Sequence, residues 1–284
     1  MSSDMKKIAI VIILVMIGLG IFLWKKKPEH RLAICAIFYD EGPRLKEWVD
    51  YHHQALGVNL FYLYNNNSSD NFQEVLAPYI EKGLVELIEW ESSEEHGVFG
   101  LDEFQHVPYQ IGAYRDCLKN RAPKKAEWVA MIDIDEFIVP ANGVNAFYTL
   151  LNEEKKIKAG SLRIYWKVFG TSGVKSLKEG ELLTEKLIRR APDDYEWHSQ
   201  IKSIHQPKAA ARKCLVHEVL KVEKGYKIKT LPPEVCRIHH YWTGTEERCN
   251  EKRILDTNHG EKFLKTLNAV EDRSIYPYLK KSPT

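Results

Sequence analysis

The stretch Glu127-Trp-Val-Ala-Met-Ile-Asp-Ile-Asp-Glu-Phe-Ile-Val-Pro140 decides the fold of this chain. Its apolar run, Trp128 to Ile132, predicts a buried strand that ends at three acidic residues, Asp133, Asp135 and Glu136. Because side chains alternate between the faces of a strand, we expect Asp133 and Asp135 on one face and Glu136 on the other. Two carboxylates on one face suit a hard divalent cation that carries a phosphate-bearing substrate. The alternative is an ordinary acidic turn after a strand.

Strands and helices alternate on the amino-terminal side of this stretch. The predicted strands are residues 32–38, 58–64, 84–88 and 128–132, and the predicted helices are residues 43–56, 72–80 and 105–120. Such alternation predicts right-handed crossovers and an α/β fold with a mostly parallel sheet flanked by helices. The second half of the chain is less regular, with one further strand predicted over residues 161–166.

Ligands of an open α/β sheet bind at the carboxyl ends of its strands. Three polar segments follow predicted strands: the Asp40-Glu41 turn, the loop from Asn65 to Asp70, and the acidic turn that begins at Asp133. We therefore expect these segments to meet at one edge of the sheet. That edge is the predicted substrate site.

Composition excludes some classes of function. The 284 residues include 41 basic and 39 acidic ones, a net charge of +2, and show no basic stripe interleaved with aromatics. We therefore expect no nucleic acid as partner. The five cysteines form no Cys-x-x-Cys pair, so neither a zinc site nor a dense disulfide framework is predicted. The redox compartment is left open.

The amino terminus carries a candidate membrane anchor. Residues 8–24 are an unbroken run of apolar residues and glycine between Lys6-Lys7 and Lys25-Lys26-Lys27. The alternative is a cleaved signal peptide, but no small-x-small cleavage site follows the run. We predict a single-pass anchor and short stem over residues 1–31 and a catalytic domain over residues 32–284. Because lysines flank the run on both sides, the sequence leaves open which side of the membrane the catalytic domain occupies.

Several spaced motifs together resemble a known family. They are Glu47-Trp48, Tyr51-His52, Leu56-Gly57-Val58, Phe61 to Asp70, Val75 to Ile80, Gln110-x-x-Ala-Tyr114, Trp128 to Pro140, Phe169 to Gly173, and His240-Tyr241. In this order they resemble the family 92 glycosyltransferases, which belong to the nucleotide-sugar transferases of the GT-A fold. The resemblance covers roughly residues 32 to 255. One departure is Tyr39-Asp40-Glu41, which stands where an Asn-Glu pair is expected.

The resemblance implies a divalent cofactor, Mn²⁺ or Mg²⁺. It makes Asp135 the direct metal ligand, with Asp133 contacting the ribose or reaching the metal through water. A histidine near the carboxyl end often completes the metal shell in this fold, and His240 fits that place. The alternative is that His239 and His240 are a packed pair beside Tyr241.

The remaining site residues are also expectations. The nucleotide-sugar pocket is expected to involve Asp40, Glu41, Asn66, Asp70 and Lys252, in addition to Asp133; Asp70 also suits a helix N-cap. Inversion at the anomeric carbon needs a general base, and the candidates are Asp193, Asp194, Glu196 and Glu218. We choose Asp194, although the acidic pair after Pro192 also suits a solvated turn. Trp166 and Trp197 suit either stacking on sugars or core packing.

The predicted function is a membrane-anchored, metal-dependent glycosyltransferase. By resemblance it transfers a hexose, from UDP-galactose or a related UDP-hexose, to a glycan hydroxyl with inversion. A nucleotidyltransferase is disfavoured because the first loop, residues 39–43, is acidic rather than basic and glycine-rich. The alternative from another class is a catalytically silent GT-A scaffold or lectin-like glycan-binding protein.

Overall fold

The computed structural model describes residues 28–91, 107–210, 214–251 and 260–279. Its strands are β1 (His30–Phe38), β2 (Phe61–Asn65), β3 (Val85–Glu89), β4 (Ala126–Met131), β5 (Glu136–Pro140), β6 (Ala159–Val168), β7 (Arg189–Arg190), β8 (Ile201–His205), β9 (Lys227–Leu231), β10 (Cys236–His240) and β11 (Val270–Glu271). Its helices are α1 (Gly42–Leu56), α2 (Phe72–Glu81), α3 (Val107–Asp116), α4 (Val144–Lys156), α5 (Leu183–Lys186), α6 (Pro207–Ala210), α7 (Glu246–Glu251) and α8 (Gly260–Leu267). A π-helical turn (Cys117–Arg121) and a 3-10 turn (Ala122–Lys124) extend α3, and further 3-10 turns are Glu196–Ser199 and Tyr276–Tyr278.

The main sheet is mixed, in the order β3-β2-β1-β4-β8-β6-β10-β5, and β9 also pairs with β6. Strands β3, β2, β1 and β4 are parallel, as the sequence predicts. The prediction of a mostly parallel sheet is wrong for the other half, because β8 is antiparallel to both β4 and β6, and β5 is antiparallel to β10. The alternation of strands and helices ends after β4, so the crossovers that impose parallel pairing end there too.

Successive residues of β1 pack into two apolar cores, one on each face of the sheet. Ile34 packs in the core that contains Trp48 of α1, whereas Cys35 packs in the core that contains Tyr114 of α3. Strands covered on both faces are apolar at every position rather than at alternate ones. This explains why residues 32–38 form a continuous apolar run.

Most predicted elements match the structure within two residues, and one strand starts later than predicted. Residues 58–60 precede β2 because α1 ends at Gly57, whose φ of +72° lies in the left-handed region. Within the part of the chain described, no helix has the length and apolarity to cross a bilayer. The predicted anchor, residues 8–24, lies outside the described residues.

Side chains of α1 complete the edge strand β5. The indole Nε1 of Trp48 donates to the carbonyl of Glu136 at 2.8 Å, and the hydroxyl of Tyr51 donates to the carbonyl of Ile138 at 2.9 Å. His52 Nε2 accepts from the N–H of Ile138 at 3.3 Å. An edge strand leaves backbone groups unpaired, and buried unpaired groups are costly. The motif Glu-Trp-x-x-Tyr-His therefore fixes the strand that begins at the acidic turn.

Trp48→Phe is expected to lower the free energy of unfolding by about 1–3 kcal/mol, because the buried carbonyl of Glu136 loses this donor. Urea unfolding followed by tryptophan-independent far-UV circular dichroism measures the change. The control is Tyr39→Phe, because Tyr39 is exposed and should change stability by less than about 0.5 kcal/mol. Equal stability of Trp48→Phe and the wild type would show that this hydrogen bond does not support β5.

Candidate functional site

A cavity of about 870 Å³ opens at the carboxyl ends of β1 and β4. Its lining includes Tyr39 and Glu41 of the loop after β1, and Trp197 and Trp242. Asp133 and Asp135 of the acidic turn and His240 also line it. The loop after β1 and the turn after β4 therefore meet at one edge, as predicted from the sequence.

The acidic turn does not continue the strand. Strand β4 ends at Met131, residues 132–135 form a turn, and β5 begins at Glu136. The backbone N–H of Asp133 donates to Glu136 Oε2 at 2.9 Å, and the N–H of Glu136 donates to the carbonyl of Asp133 at 3.1 Å. The prediction that Glu136 points away from the two aspartates is wrong, because strand alternation does not apply across a turn.

Asp133 is held by three donors. Its Oδ1 accepts from Gln110 Nε2 at 2.8 Å and from the Tyr114 hydroxyl at 3.2 Å, both on α3. Its Oδ2 accepts from Lys202 Nζ at 2.6 Å. With these contacts satisfied within the protein, Asp133 suits a positioning or ribose-binding role better than direct metal contact.

Lys202 is a fully buried cation between two of the acids. Its Nζ lies 2.6 Å from Asp133 and 3.5 Å from Glu136 Oε2. Burial alone would lower the pKa of Lys202, but Asp133 and Glu136 raise it to about 12. Burial raises the pKa of Glu136 to about 7, although Lys202 acts in the opposite direction. The ammonium therefore lies buried behind Asp133, which lines the cavity, and offsets part of the negative charge of the acidic turn.

Asp135 and His240 form the second pair. His240 Nε2 lies 3.5 Å from Asp135 Oδ1, and the imidazole packs against Trp166 with ring centroids 4.3 Å apart. Burial alone would lower the pKa of His240, but Asp135 and Glu136 raise it above its ordinary value. His240 is thus a site residue, whereas His239 is packed against Phe169 on the other face of β10.

Asp135 and His240 fit a divalent ion that is shared with a substrate. Two ligands at about 2.1 Å from an octahedral ion stand about 3 Å apart, which is close to the observed 3.5 Å. Among the described residues, no three His, Cys, Asp or Glu side chains are grouped so that they could hold an ion by themselves. Mg²⁺-type sites commonly take only one or two carboxylates and leave the other positions to phosphates and water. A two-residue site therefore agrees with a phosphate-bearing ligand.

The predicted nucleotide-binding acids divide into two kinds. Asp40 Oδ1 accepts from the N–H of Ser69 at 2.7 Å, and Asp70 Oδ2 accepts from the N–H of Gly42 at 2.6 Å. These contacts tie the loop after β1 to the loop after β2, so both carboxylates hold the pocket's framework. A Cβ at Gly42 would lie 2.5 Å from Asn71 Oδ1 and 2.9 Å from Asp70 Oδ2, so a larger residue there would require these side chains to shift.

Glu41 is the predicted nucleotide-binding acid of the first loop that lines the cavity. It pairs with Arg44 and lies 3.4 Å from Arg248 Nη2. Burial raises the pKa of Glu41, although Arg44 acts in the opposite direction. Asn66 donates its N–H to the carbonyl of Phe38, which places it beside the end of β1. Lys252 lies outside the described residues.

The structure does not bring Asp194 into the main cavity. Asp194 is exposed and lines a neighbouring cavity of about 480 Å³, and Trp166 lines both cavities. Asp193 in the same loop pairs with Lys167 at 2.6 Å, and Glu218 pairs with Arg163. Asp194 as the general base stays a prediction.

Sequence reasoning missed the partners of Asp133. Gln110 and Tyr114 are four residues apart, so they lie on the same face of a helix, and that spacing is a usable signal. From the sequence, Lys202 is a candidate only for contact with phosphate or acceptor charge. No spacing signal joins it to Asp133, which is 69 positions away.

Comparison with known proteins gives the family. The profile of glycosyltransferase family 92 matches residues 30–278. A family 92 protein of Oryza sativa subsp. japonica is 28% identical over 223 residues, which cover 77% of this chain and 34% of that protein. One from Arabidopsis thaliana is 28% identical over 229 residues, which cover 76% of this chain and 36% of that protein. The chain spans about a third of the length of these curated relatives.

Solved structures overlap only weakly with the chain. S. aureus TarS 1-349 in complex with UDP-GlcNAc gives a TM-score of 0.45 at 10% identity and covers 82% of this chain and 70% of that chain. The mannosyltransferase PcManGT from Pyrobaculum calidifontis, in complex with GDP-Man and Mn²⁺, gives 0.42 at 13% identity and covers 93% and 74%. Overlaps at this level carry no argument about substrate. The family profile, in contrast, runs from the first residue of β1 to the last 3-10 turn, and the chain belongs to glycosyltransferase family 92.

Proposed function

We propose that the chain is a metal-dependent glycosyltransferase with a GT-A-like catalytic domain. It transfers a hexose, with UDP-galactose or a related UDP-hexose as donor, to a glycan hydroxyl with inversion. The proposal includes membrane attachment through residues 1–31. The observation that carries it is the pairing of Asp135 with His240 in a cavity large enough for a nucleotide sugar.

Asp135 and His240 are the residues that would hold Mn²⁺ or Mg²⁺. Bound there, the ion would neutralise charge on the departing diphosphate and act as a Lewis acid. Lys202 contributes a buried positive charge behind the acidic turn, and its ammonium orients the carboxylate of Asp133. Catalysis of this kind depends on charges that are already in place before the bond breaks.

We assign the donor to the part of the cavity that follows β1 and the acceptor to the part that Trp197 and Trp242 line. Tyr39 and Glu41 stand at the end of β1, where open α/β sheets bind nucleotides. Trp197 and Trp242 pack edge to face with ring centroids 5.5 Å apart, and Trp197 also contacts Phe263. Rings fixed in this way offer an apolar surface for the faces of acceptor sugars.

The experiment that tests the function is donor turnover by the full chain in detergent. A panel of UDP- and GDP-sugars is assayed with Mn²⁺ and with EDTA, with and without simple glycan acceptors. We expect turnover of one UDP-hexose that requires the metal. Donor binding without turnover under every acceptor condition would instead favour the lectin-like alternative, and a GDP-sugar as sole donor would contradict the UDP assignment.

Asp194→Asn is expected to lower kcat by about 10²-fold at an unchanged donor KM, if Asp194 takes the proton of the acceptor hydroxyl. Asp193→Asn, in the same loop, is the matched control. It removes a carboxylate that is already paired with Lys167, so kcat should change by less than about 3-fold. Unchanged kcat in Asp194→Asn would exclude Asp194 as the general base. Substitution of the other candidate acids would then be needed to find the base, and the anomeric configuration of the product would test inversion.

A further inference from the structure

Glu136 and His240 lie directly opposite each other in the sheet. Strands β5 and β10 are antiparallel, and their register pairs Glu136 with His240. Side chains of directly opposed residues point to the same face and have neighbouring Cβ atoms. The backbone therefore brings this carboxylate to this imidazole, whatever else occupies the cavity.

The two side chains present unpartnered polar atoms to each other. Glu136 Oε1 and His240 Nδ1 are both buried and have no hydrogen-bond partner among the described residues. They lie 4.0 Å apart, and Glu136 is completely buried. A rotation that shortened this distance by about 1 Å would form an ordinary hydrogen bond. Each atom is thus the available partner of the other.

The other oxygen of Glu136 is fixed by donors. Oε2 accepts from the N–H of Asp133 at 2.9 Å and lies 3.5 Å from the ammonium of Lys202. The carboxylate therefore cannot turn away from its place. Its second oxygen, Oε1, stays directed at His240.

We propose that Glu136 is a positioning residue that selects the tautomer of His240. Its Oε1 accepts a hydrogen bond from Nδ1–H, which leaves the lone pair of Nε2 for a metal ion that His240 would share with Asp135. This inference rests on the proposed metal site. Carboxylates in this relation to a ligating histidine fix its orientation and raise its basicity, and their loss lowers metal affinity by about 10–100-fold.

Glu136→Gln tests the proposal because the amide has only one acceptor. The N–H of Asp133 and the ammonium of Lys202 require that acceptor at the Oε2 position. The amide NH₂ then faces His240 Nδ1, which must accept, and the imidazole proton moves to Nε2. The variant keeps the shape of the side chain but presents an N–H where the metal would bind.

We expect Mn²⁺ to bind the full-length Glu136→Gln variant about 10–100-fold more weakly than the wild type, measured by electron paramagnetic resonance without donor. In proteins saturated with diamagnetic Mg²⁺, ¹⁵N shifts of labelled histidine should show the Nδ1–H tautomer of His240 in the wild type and the Nε2–H tautomer in the variant. The matched control is Glu154→Gln. Glu154 of α4 is also buried with an unpartnered oxygen, but it pairs with Lys229 away from the cavity.

The outcomes separate this inference from the proposed function. Wild-type Mn²⁺ binding with equal affinity in Glu136→Gln, or the same His240 tautomer in both proteins, overturns the inference and leaves the metal site in place. No Mn²⁺ binding by the folded wild type, with or without UDP, overturns both. A similar loss of affinity in Glu154→Gln would show a general effect of buried carboxylates and would also overturn it.

Discussion

Asp135→Ala is expected to reduce metal-dependent donor turnover by about 10²–10³-fold, the loss typical when one group that stabilises transition-state charge is removed. The reason is that Asp133 and Asp135 have different roles in the acidic turn. Asp133 is occupied by Gln110, Tyr114 and Lys202, whereas Asp135 lines the cavity beside His240. Removing Asp135 therefore removes the carboxylate best placed for the ion. The assay is initial rate against Mn²⁺ concentration at saturating donor.

The control for Asp135→Ala is Glu153→Ala. Glu153 is an exposed acid of α4 that pairs with Lys156, and such surface pairs contribute little. Its turnover should equal that of the wild type. Asp135→Ala turnover within about 10-fold of the wild type, with the same dependence on Mn²⁺, would assign the metal to other residues.

Lys202→Met is expected to lower the free energy of unfolding by about 3–5 kcal/mol, the usual effect of removing one partner of a buried ion pair. The ammonium is completely buried and is the cation that Asp133 and Glu136 share. Without it, Asp133 and Glu136 lose their shared cation, and the buried Glu136 must either stay charged without it or take up a proton. Urea unfolding of the metal-free protein measures the change.

The matched control is Lys46→Met. Lys46 is largely exposed and pairs with Asp50 at 2.5 Å, so its removal should cost less than about 1 kcal/mol. A loss as small as this in Lys202→Met would show that the buried ammonium does not hold the turn together.

The loss of unfolding free energy caused by Lys202→Met should also depend on pH. Burial already raises the pKa of Glu136 to about 7, and loss of Lys202 raises it further. The native variant then holds a proton that the unfolded chain releases near its ordinary pKa of about 4.3, so stability falls as pH rises between those values. The difference in unfolding free energy between the wild type and Lys202→Met should therefore be larger at pH 8 than at pH 5.5.

The first half of the fold and the family could be predicted from the sequence, since β1 to β4 are apolar runs separated by amphipathic helices. The second half could not, because β8 is a short strand whose antiparallel partners, β4 and β6, are set by tertiary pairing. Asp133, Asp135 and His240 were placed together by family resemblance, and the structure has them at one cavity. Asp40 and Asp70 look like ligand-binding acids in the sequence, yet their carboxylates mainly accept backbone N–H groups of the adjacent loop.

Glu136 shows the limit of periodic reasoning most clearly. Strand alternation places Glu136 on the other face from the aspartates. The turn at residues 132–135 instead brings its carboxylate to the acidic turn, where Oε2 accepts from the N–H of Asp133. The error arises from treating a strand end as a strand. Chemistry-bearing residues often lie at such ends, so the periodic rule fails where function is concentrated.

The acidic turn also sets how this chain can diverge. Strands β4 and β5 are four places apart in the sheet order, about 19 Å in a flat sheet, whereas residues 131–136 reach at most about 17 Å. The sheet must therefore bend for residues 131–136 to connect β4 with β5, and the connection cannot be made shorter. A deletion there would require the sheet to take a different path, whereas a substitution leaves the length of the link unchanged. We therefore expect that the link cannot be shortened without changing the sheet, whereas its acids can be replaced while the architecture is kept.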